Sequence, residues 1–104
     1  MFLRWLLGNT NPPEVGRSPQ WSAVRNRFIR ANPRCAACNT SKELEAHHVL
    51  PYQIRPDLEL DETNLIQFCR SCHFAIGHGY DWTAWRPDCR KLAGQMLATP
   101  VVRK

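Results

Sequence analysis

The sequence predicts a small α+β domain held together by a metal ion, and three observations lead to this prediction. The chain has 104 residues, so its core is small and a chain of this size often needs a metal or a cross-link for stability. Two Cys-x-x-Cys pairs occur, Cys35 with Cys38 and Cys69 with Cys72. Short apolar stretches typical of strands alternate with segments of helical spacing. A single domain with both element types accounts for all three observations.

The first predicted element is a helix in the segment SPQWSAVRNRFIRANP. Ser18 is a good helix-capping residue, and Pro19 suits the first helical position. Apolar residues then recur at helical spacing as far as Phe28, which gives the helix one apolar face. Asn32 followed by proline ends it.

Two short strands and two further helices are predicted after the first cysteine pair. The segment ELEAHHVLP is predicted to be a strand that ends at Pro51, and NLIQF a second strand. The segment CRSCHFAIGH is predicted to be a tight cysteine turn that runs into a helix, ended by Gly77 or Gly79. A final helix is predicted from Pro87 to Leu97.

The two cysteine pairs are interpreted as one structural zinc site. Each pair forms a tight turn that aims two sulfurs at one point, and four thiolates complete a tetrahedral zinc site with no position left for substrate. The 30 residues between the pairs add little entropic cost to closing the site. Two disulfides or buried free thiols remain the alternatives. Cys89 has no partner in this scheme and is interpreted as an ordinary buried thiol.

The histidines require a separate explanation, because four thiolates already satisfy one zinc ion. His47 and His48 lie at the end of a predicted strand, and His73 directly follows Cys72. Zinc binding would bring these three imidazoles close together. A second metal with open positions for water and phosphate is chemically reasonable there. The alternative for each histidine is a hydrogen-bonded structural role.

The run CAAC, LEAHHVLP and DETNLIQFCRSCH resembles the HNH nuclease family in its zinc-stapled form. The family is named for a histidine, an asparagine and a histidine, which match His48, Asn64 and His73. The resemblance covers residues 18–85 and extends to small stand-alone bacterial and phage members. It implies a ββα-metal core, also called a His-Me finger, in which two antiparallel strands and a helix surround one divalent cation. Further helices would flank this core.

The resemblance also implies a role for each matched residue. His48 would be the general base that takes a proton from the attacking water, and Asn64 would hold the base or its loop. His47 and His73 would bind the catalytic metal, which is Mg²⁺, Mn²⁺, Ni²⁺, Co²⁺ or Zn²⁺. The structural zinc would use the four cysteines Cys35, Cys38, Cys69 and Cys72. The implied reaction is hydrolysis of DNA phosphodiesters to 5′-phosphate and 3′-hydroxyl ends.

One geometric difficulty concerns the adjacent histidines. Neighbouring residues on a regular strand point to opposite faces, so His47 and His48 share one site only if the strand end is irregular. We expect such an irregularity near Pro51; otherwise one histidine faces the site and the other packs elsewhere. His78 follows His73 by five residues, a spacing that does not place it squarely on the same helical face. We therefore expect a supporting or structural role for it, with a ligand role as the alternative.

The charge of the chain predicts a nucleic-acid partner. The formal net charge is +5, from 14 Lys and Arg against 9 Asp and Glu, and basic surfaces attract polyanions. Low sequence specificity is expected because no additional reading module is evident. The competing function is a zinc-stabilised DNA-binding module without catalysis. The candidates for contacts to the DNA backbone are Arg17, Arg25, Arg27, Arg30, Arg34, Arg55 and Arg70.

The predicted organisation is an N-terminal arm at residues 1–17, a nuclease domain at 18–85 and a C-terminal helix and tail at 86–104. The apolar start MFLRWLLG is too short for a membrane span or a signal peptide. We therefore expect a cytoplasmic protein with reduced thiols and no membrane association. The sequence leaves open whether the protein forms a homodimer and whether it has partner proteins from phage or restriction systems. It also leaves open whether the protein nicks DNA or cuts both strands, and whether it prefers DNA or RNA.

Overall fold

A computed structural model describes residues 18–99. Its elements, in chain order, are α1 (Trp21–Ala31), β1 (Leu44–His48), β2 (Leu65–Cys69), α2 (Arg70–Cys72), which continues as a π-helix (His73–Gly77), and α3 (Cys89–Ala98). Two short 3₁₀ turns precede β2, at Pro56–Leu58 and Glu62–Asn64. The predicted α+β class is confirmed. The predicted N-terminal arm, with Arg17, lies outside the described residues.

Helix α1 begins slightly later than its capping signal predicts. The Ser18 hydroxyl accepts a hydrogen bond from the Gln20 amide at 3.0 Å, and the Ser18 carbonyl accepts one from the Trp21 amide at 3.1 Å. Ser18 therefore forms a turn ahead of the helix, and Pro19 falls in that turn. The predicted apolar face is present: Val24 and Phe28 are buried, and they pack with Leu65 of β2.

Strands β1 and β2 form a two-stranded antiparallel hairpin in which Leu44 pairs with Cys69, and His47 with Ile66. Successive residues of a strand face opposite sides. Leu65 accordingly packs towards α1, whereas Ile66 joins a second core that contains Cys35, Cys72 and Cys89. The hairpin thus separates two small cores, and it carries cysteine towards one end and histidines towards the other.

Helix α3 covers the second core. It begins at Cys89, two residues later than predicted, and its residues Cys89 and Ala93 are buried. Burial raises the pKa of the Cys89 thiol, so this cysteine is packed in its neutral form, as the sequence predicts. Within residues 18–99, no helix combines the length and the apolar character that crossing a membrane would require.

Candidate metal centres

The four paired cysteines converge on one point, as the sequence predicts. The sulfur atoms of Cys35, Cys38, Cys69 and Cys72 all lie within 4.8 Å of one another. The Cys38 and Cys69 sulfurs are 3.7 Å apart. A tetrahedral zinc site with Zn–S bonds of about 2.3 Å has sulfurs about 3.8 Å apart. All five cysteines are free thiols, so the cluster is able to bind a metal and contains no disulfide.

The turn at the first pair stabilises a thiolate. The Cys35 sulfur accepts the backbone N–H groups of Ala37 at 3.4 Å and Cys38 at 3.5 Å. Burial alone would raise the pKa of Cys35, but these and other backbone donors lower it to about 7. Burial and the neighbouring thiols instead raise the pKa of Cys72. Four adjacent thiols, three of them buried, cannot all ionise beside one another, so full deprotonation of the cluster requires a bound cation.

A second cluster lies at the histidine end of the hairpin. Nδ1 of His47 is 3.1 Å from Nε2 of His73, and Nε2 of His73 is 3.3 Å from Nε2 of His78. One ring nitrogen from each of His47, His73 and His78 lies within 4.8 Å of the other two, close enough for the three to hold one metal ion. We call His47, His73 and His78 the imidazole group. The two metal ligands predicted from the sequence thus lie side by side, together with a third histidine.

Hydrogen bonds on the outer side of the imidazole group fix its tautomers. Nδ1–H of His73 donates to Oε1 of Glu45 at 2.7 Å, and Nδ1–H of His78 donates to the Ala84 carbonyl at 2.6 Å. In neutral imidazoles the Nε2 lone pairs of His73 and His78 must then face each other with no proton between them. Two facing lone pairs repel, and a cation between them removes that repulsion. A carboxylate behind a histidine ligand is a common arrangement in metal sites.

Burial favours the neutral form of His47 and His73, which is the form that binds metals. His47 is only 3% exposed. Burial, with the neighbouring histidines, lowers the pKa of His47 to about 3. Burial also lowers the pKa of His73, in spite of the opposing effect of Glu45. Within the described part of the chain, Nε2 of His47 is buried without a hydrogen-bond partner. The donor set therefore fits a transition-metal ion.

His78 joins the group because the helix changes its winding. The segment His73–Gly77 is a π-helix, in which backbone hydrogen bonds join residues five apart. That winding brings His78 back towards His73, although the sequence led us to expect a supporting position on the basis of α-helical spacing. The structure therefore brings His78 beside His73, which the spacing argument did not foresee, and whether His78 is a ligand or a supporting residue stays a prediction. Such π-helical turns are frequent at functional sites.

Gly77 leaves the space that the His47 ring occupies. A Cβ atom at residue 77 would lie 3.1 Å from Cε1 and Nδ1 of the ring, closer than ordinary van der Waals contact. Gly77 itself is buried. The glycine in CHFAIGH is thus a sequence signal for close approach of a neighbouring side chain, whereas Glu45 and the Ala84 carbonyl gave no signal that sequence reasoning could have used.

His48 lies on the other side of the strand from the imidazole group. Both adjacent histidines keep regular strand pairing, His47 with Ile66 and His48 with Leu65, so the expected irregularity is absent from the strand. The His48 ring stacks against Trp21, with centroids 4.6 Å apart. Its Nε2–H donates to the Glu59 carbonyl at 2.9 Å. This arrangement matches the second possibility, in which one histidine faces the metal and the other does not.

Asn64 holds together the two ends of the loop that follows His48. Its side-chain oxygen accepts the Leu50 amide at 3.0 Å, and its side-chain nitrogen donates to the Leu50 carbonyl at 3.1 Å. Its backbone carbonyl also accepts the Val49 amide at 2.8 Å. The Asn64 side chain therefore ties residues 49–50 to the start of β2. Its catalytic role stays a prediction.

Comparison with known proteins agrees with this geometry. Residues 33–79 match the family model described as HNH endonuclease. No curated protein and no solved structure matches the chain significantly. The match includes both cysteine pairs and the whole imidazole group. Residues 33–79 therefore match the HNH endonuclease family, and the four-cysteine cluster is consistent with the zinc-stapled form of that family.

Proposed function

We propose that this protein is a metal-dependent endonuclease that hydrolyses DNA phosphodiesters with low sequence specificity. The observation that carries the proposal is the imidazole group, three histidines whose ring nitrogens lie close enough together to hold one metal ion, within a region that matches a nuclease family. Three protein ligands leave open positions for water and phosphate oxygens, unlike the four thiols of the zinc site. The proposed domain boundaries are residues 18–85.

The catalytic cation would be held by His47, His73 and His78. When bound, it would neutralise charge on the phosphoryl and leaving oxygens. Imidazole ligands favour Mn²⁺, Ni²⁺, Co²⁺ or Zn²⁺ over Mg²⁺, so we expect activity with several ions. Glu45 would orient His73 and strengthen its basicity by accepting the hydrogen bond from Nδ1–H. Arg70, which donates to Glu45 at 3.0 Å, would hold that carboxylate in place.

His48 is the proposed general base. Its Nε2–H donates to a carbonyl oxygen, so in the neutral ring the lone pair is on Nδ1, the atom that would accept the proton from water. The Trp21 stack fixes the plane of the ring. A base needs to reach the attacking water without binding the metal. His48 is the last residue of β1 and directly follows His47, a proposed metal ligand.

Asn64 is proposed to position this base. It ties the chain directly after His48 to the end of β2 through two side-chain hydrogen bonds. Glu59 supports the same arrangement from the loop: its carboxylate accepts the Ser18 amide at 3.1 Å, while its carbonyl holds the His48 ring. Helix α1, the loop and the base are thereby joined into one unit.

The proposed substrate is held by phosphate contacts, which confer salt dependence without base selection. Several of the candidate arginines already bind acidic partners: Arg27 pairs with Glu62, Arg55 with Asp57 and Arg70 with Glu45. The pairs of Arg27 and Arg55 are exposed and contribute little stability, so these two arginines can exchange their acidic partners for DNA phosphates at low cost. The free thiols favour a reducing, cytoplasmic location.

A DNA-binding module without catalysis is the competing function. The placement of His48 outside the imidazole group is the observation that favours it, because a base far from the water would be ineffective.

Cleavage of supercoiled plasmid, with Mn²⁺ or Mg²⁺ and with EDTA, tests the proposal. We expect metal-dependent nicking or linearisation by the wild type. His48→Ala should reduce the rate about 10²- to 10⁴-fold, the usual contribution of a general base, while the protein keeps its zinc and still unfolds cooperatively. Wild-type rates in a folded His48→Ala protein would exclude His48 as the base. Absence of cleavage by the wild type, with DNA binding retained, would establish the competing function.

A further inference from the structure

A contiguous aromatic surface beside the imidazole group has no part in the proposed cleavage chemistry. Phe74, Tyr80 and Trp82 form it, with the Phe74 centroid 5.6 Å from that of Tyr80 and 5.0 Å from that of Trp82. We call these three residues the aromatic rim. Tyr80 is 72% exposed and Trp82 is 46% exposed. Clustered aromatic rings left in water commonly mark a binding surface.

The rim adjoins the proposed metal ligands directly. The Trp82 centroid is 5.2 Å from that of His73 and 4.8 Å from that of His78. A phosphate held at the imidazole group would therefore place its own nucleoside beside Trp82. A ring in this position can contact the nucleotide that is being cut, whereas contacts elsewhere on the domain would reach only more distant nucleotides.

A cation accompanies the rim. The Arg70 guanidinium carbon is 5.3 Å from the Trp82 centroid, within the range of a cation–π contact. The Arg70 side chain is 62% exposed, so it can contact a phosphate while it remains against the indole. Aromatic faces combined with a basic group are the usual composition of surfaces that bind single-stranded nucleic acid.

The backbone holds the Tyr80 ring outward. Tyr80 has a φ angle of 69°, directly after Gly79 with a φ angle of 61°. A positive φ is unusual for a bulky residue. The Tyr80 amide donates to the Phe74 carbonyl at 2.9 Å, and this bond fixes the turn that follows the π-helix. Residues kept in such conformations cluster at binding and catalytic sites.

We propose that the aromatic rim stacks on an unpaired base of the strand that is cut, so that the preferred substrate is DNA with unpaired bases at the scissile phosphate. Bases of an intact duplex are stacked on one another and offer no free face, whereas unpaired bases stack on aromatic side chains with little regard to sequence. Tyr80 and Trp82 are then specificity-determining residues. The cleavage part of this inference rests on the proposed nuclease function, but the binding part does not.

Fluorescence anisotropy of labelled DNA tests the binding part. The zinc-loaded protein, without added divalent ion, is titrated at fixed salt against a single strand and against the blunt duplex of the same sequence. We expect the wild type to prefer the single strand. Tyr80→Ala should weaken single-strand binding about tenfold, in line with the loss of one base–aromatic stack, and leave duplex binding unchanged. Tyr80→Phe, which keeps the ring, should bind like the wild type.

Trp82→Ala should have an effect of similar size, but Trp82 touches two proposed ligands. The Mn²⁺ affinity of Trp82→Ala is therefore measured in parallel. Tyr80, whose ring packs against Phe74, provides the independent variant. Equal wild-type affinity for the two DNA forms, or an unaffected Tyr80→Ala protein, would overturn the inference. If the wild type does not cleave plasmid but Tyr80→Ala still weakens single-strand binding, the nuclease proposal is rejected and the role of the aromatic rim in binding is kept. If the wild type cleaves plasmid but Tyr80→Ala binds single strands like the wild type, only the role of the aromatic rim is rejected.

Discussion

The cysteine cluster and the imidazole group lie towards opposite ends of one hairpin, yet they suit different tasks. The cysteine cluster has four donors, which can occupy all four coordination positions of a tetrahedral metal ion. The imidazole group has three donors, two of them oriented by hydrogen bonds to Glu45 and Ala84. A closed site can only hold the chain together, whereas an open site can also bind substrate. Under the proposed function, one small domain would use a four-donor site for folding and a three-donor site for chemistry.

The largest expected effect is the loss of the cysteine site. Cys69→Ser removes one of four donors, and structural zinc supplies about 10–16 kcal/mol of binding energy that is coupled to folding. We expect an unfolded or insoluble protein without zinc, as judged by circular dichroism and metal analysis. Cys89→Ala is the matched control, because Cys89 is buried outside the cluster, and it should retain zinc. A soluble, zinc-free Cys69→Ser protein with a cooperative melt would contradict the structural role.

The next effect concerns the open site alone. His73→Ala removes the central donor of the imidazole group and should abolish detectable Mn²⁺ or Ni²⁺ binding in isothermal titration, with the zinc retained. His78→Ala should also weaken binding strongly if three histidines bind the ion. His48→Ala serves as control and should bind these ions like the wild type. Unchanged affinity in His78→Ala would reduce the ligand set to the pair expected from the sequence.

A smaller effect is expected at the carboxylate behind the ligand. Glu45→Gln keeps the shape of the side chain but removes the negative charge that accepts the hydrogen bond from Nδ1–H of His73. Substitutions of this kind usually cost about 10- to 100-fold in metal affinity. Titration with Ni²⁺ should show that loss without a change in zinc content. If the affinity is retained, Glu45 is a surface ion-pair partner of Arg70 and does not orient the ligand.

The smallest effect is expected at Gly77. Gly77→Ala places a Cβ atom 3.1 Å from the His47 ring, and overpacking of this kind costs about 1–3 kcal/mol. We expect a lower melting temperature and severalfold weaker Ni²⁺ binding. Gly94→Ala is the matched control, since nothing lies within 4 Å of its Cβ and an exposed helical glycine gains stability on this change. Equal behaviour of the two variants would show that the His47 ring is free to move.

The contrast between the two sites also explains what the sequence can predict. The cysteine spacing alone implies convergence, because each Cys-x-x-Cys turn aims both sulfurs at one point. The hairpin and the apolar face of α1 follow from periodicity. The imidazole group is less predictable: His78 joins it through π-helical winding, which five-residue spacing on an α-helix does not suggest. The outward bonds to Glu45 and Ala84 depend on tertiary packing, which periodicity does not encode.

The adjacent histidines His47 and His48 also show how far local sequence predicts the site. Strand alternation predicts that neighbouring side chains diverge, and the structure keeps that rule for His47 and His48. The resemblance to nucleases favoured an exception at the strand end, and the regular pairing does not provide one. The Glu59 carbonyl and the Trp21 ring that receive His48 come from distant segments. Their contact with the histidine could not be inferred from local sequence.

Cobalt substitution tests most directly whether one chain carries two distinct metal sites. Titration of metal-free protein with Co²⁺ should reveal two ions per chain by metal analysis. The first should show the intense thiolate charge-transfer bands of a four-sulfur tetrahedral site, and the second should bind more weakly and without such bands. His73→Ala should lose only the second ion. A single ion per chain, or a second ion that persists in His73→Ala, would contradict the account.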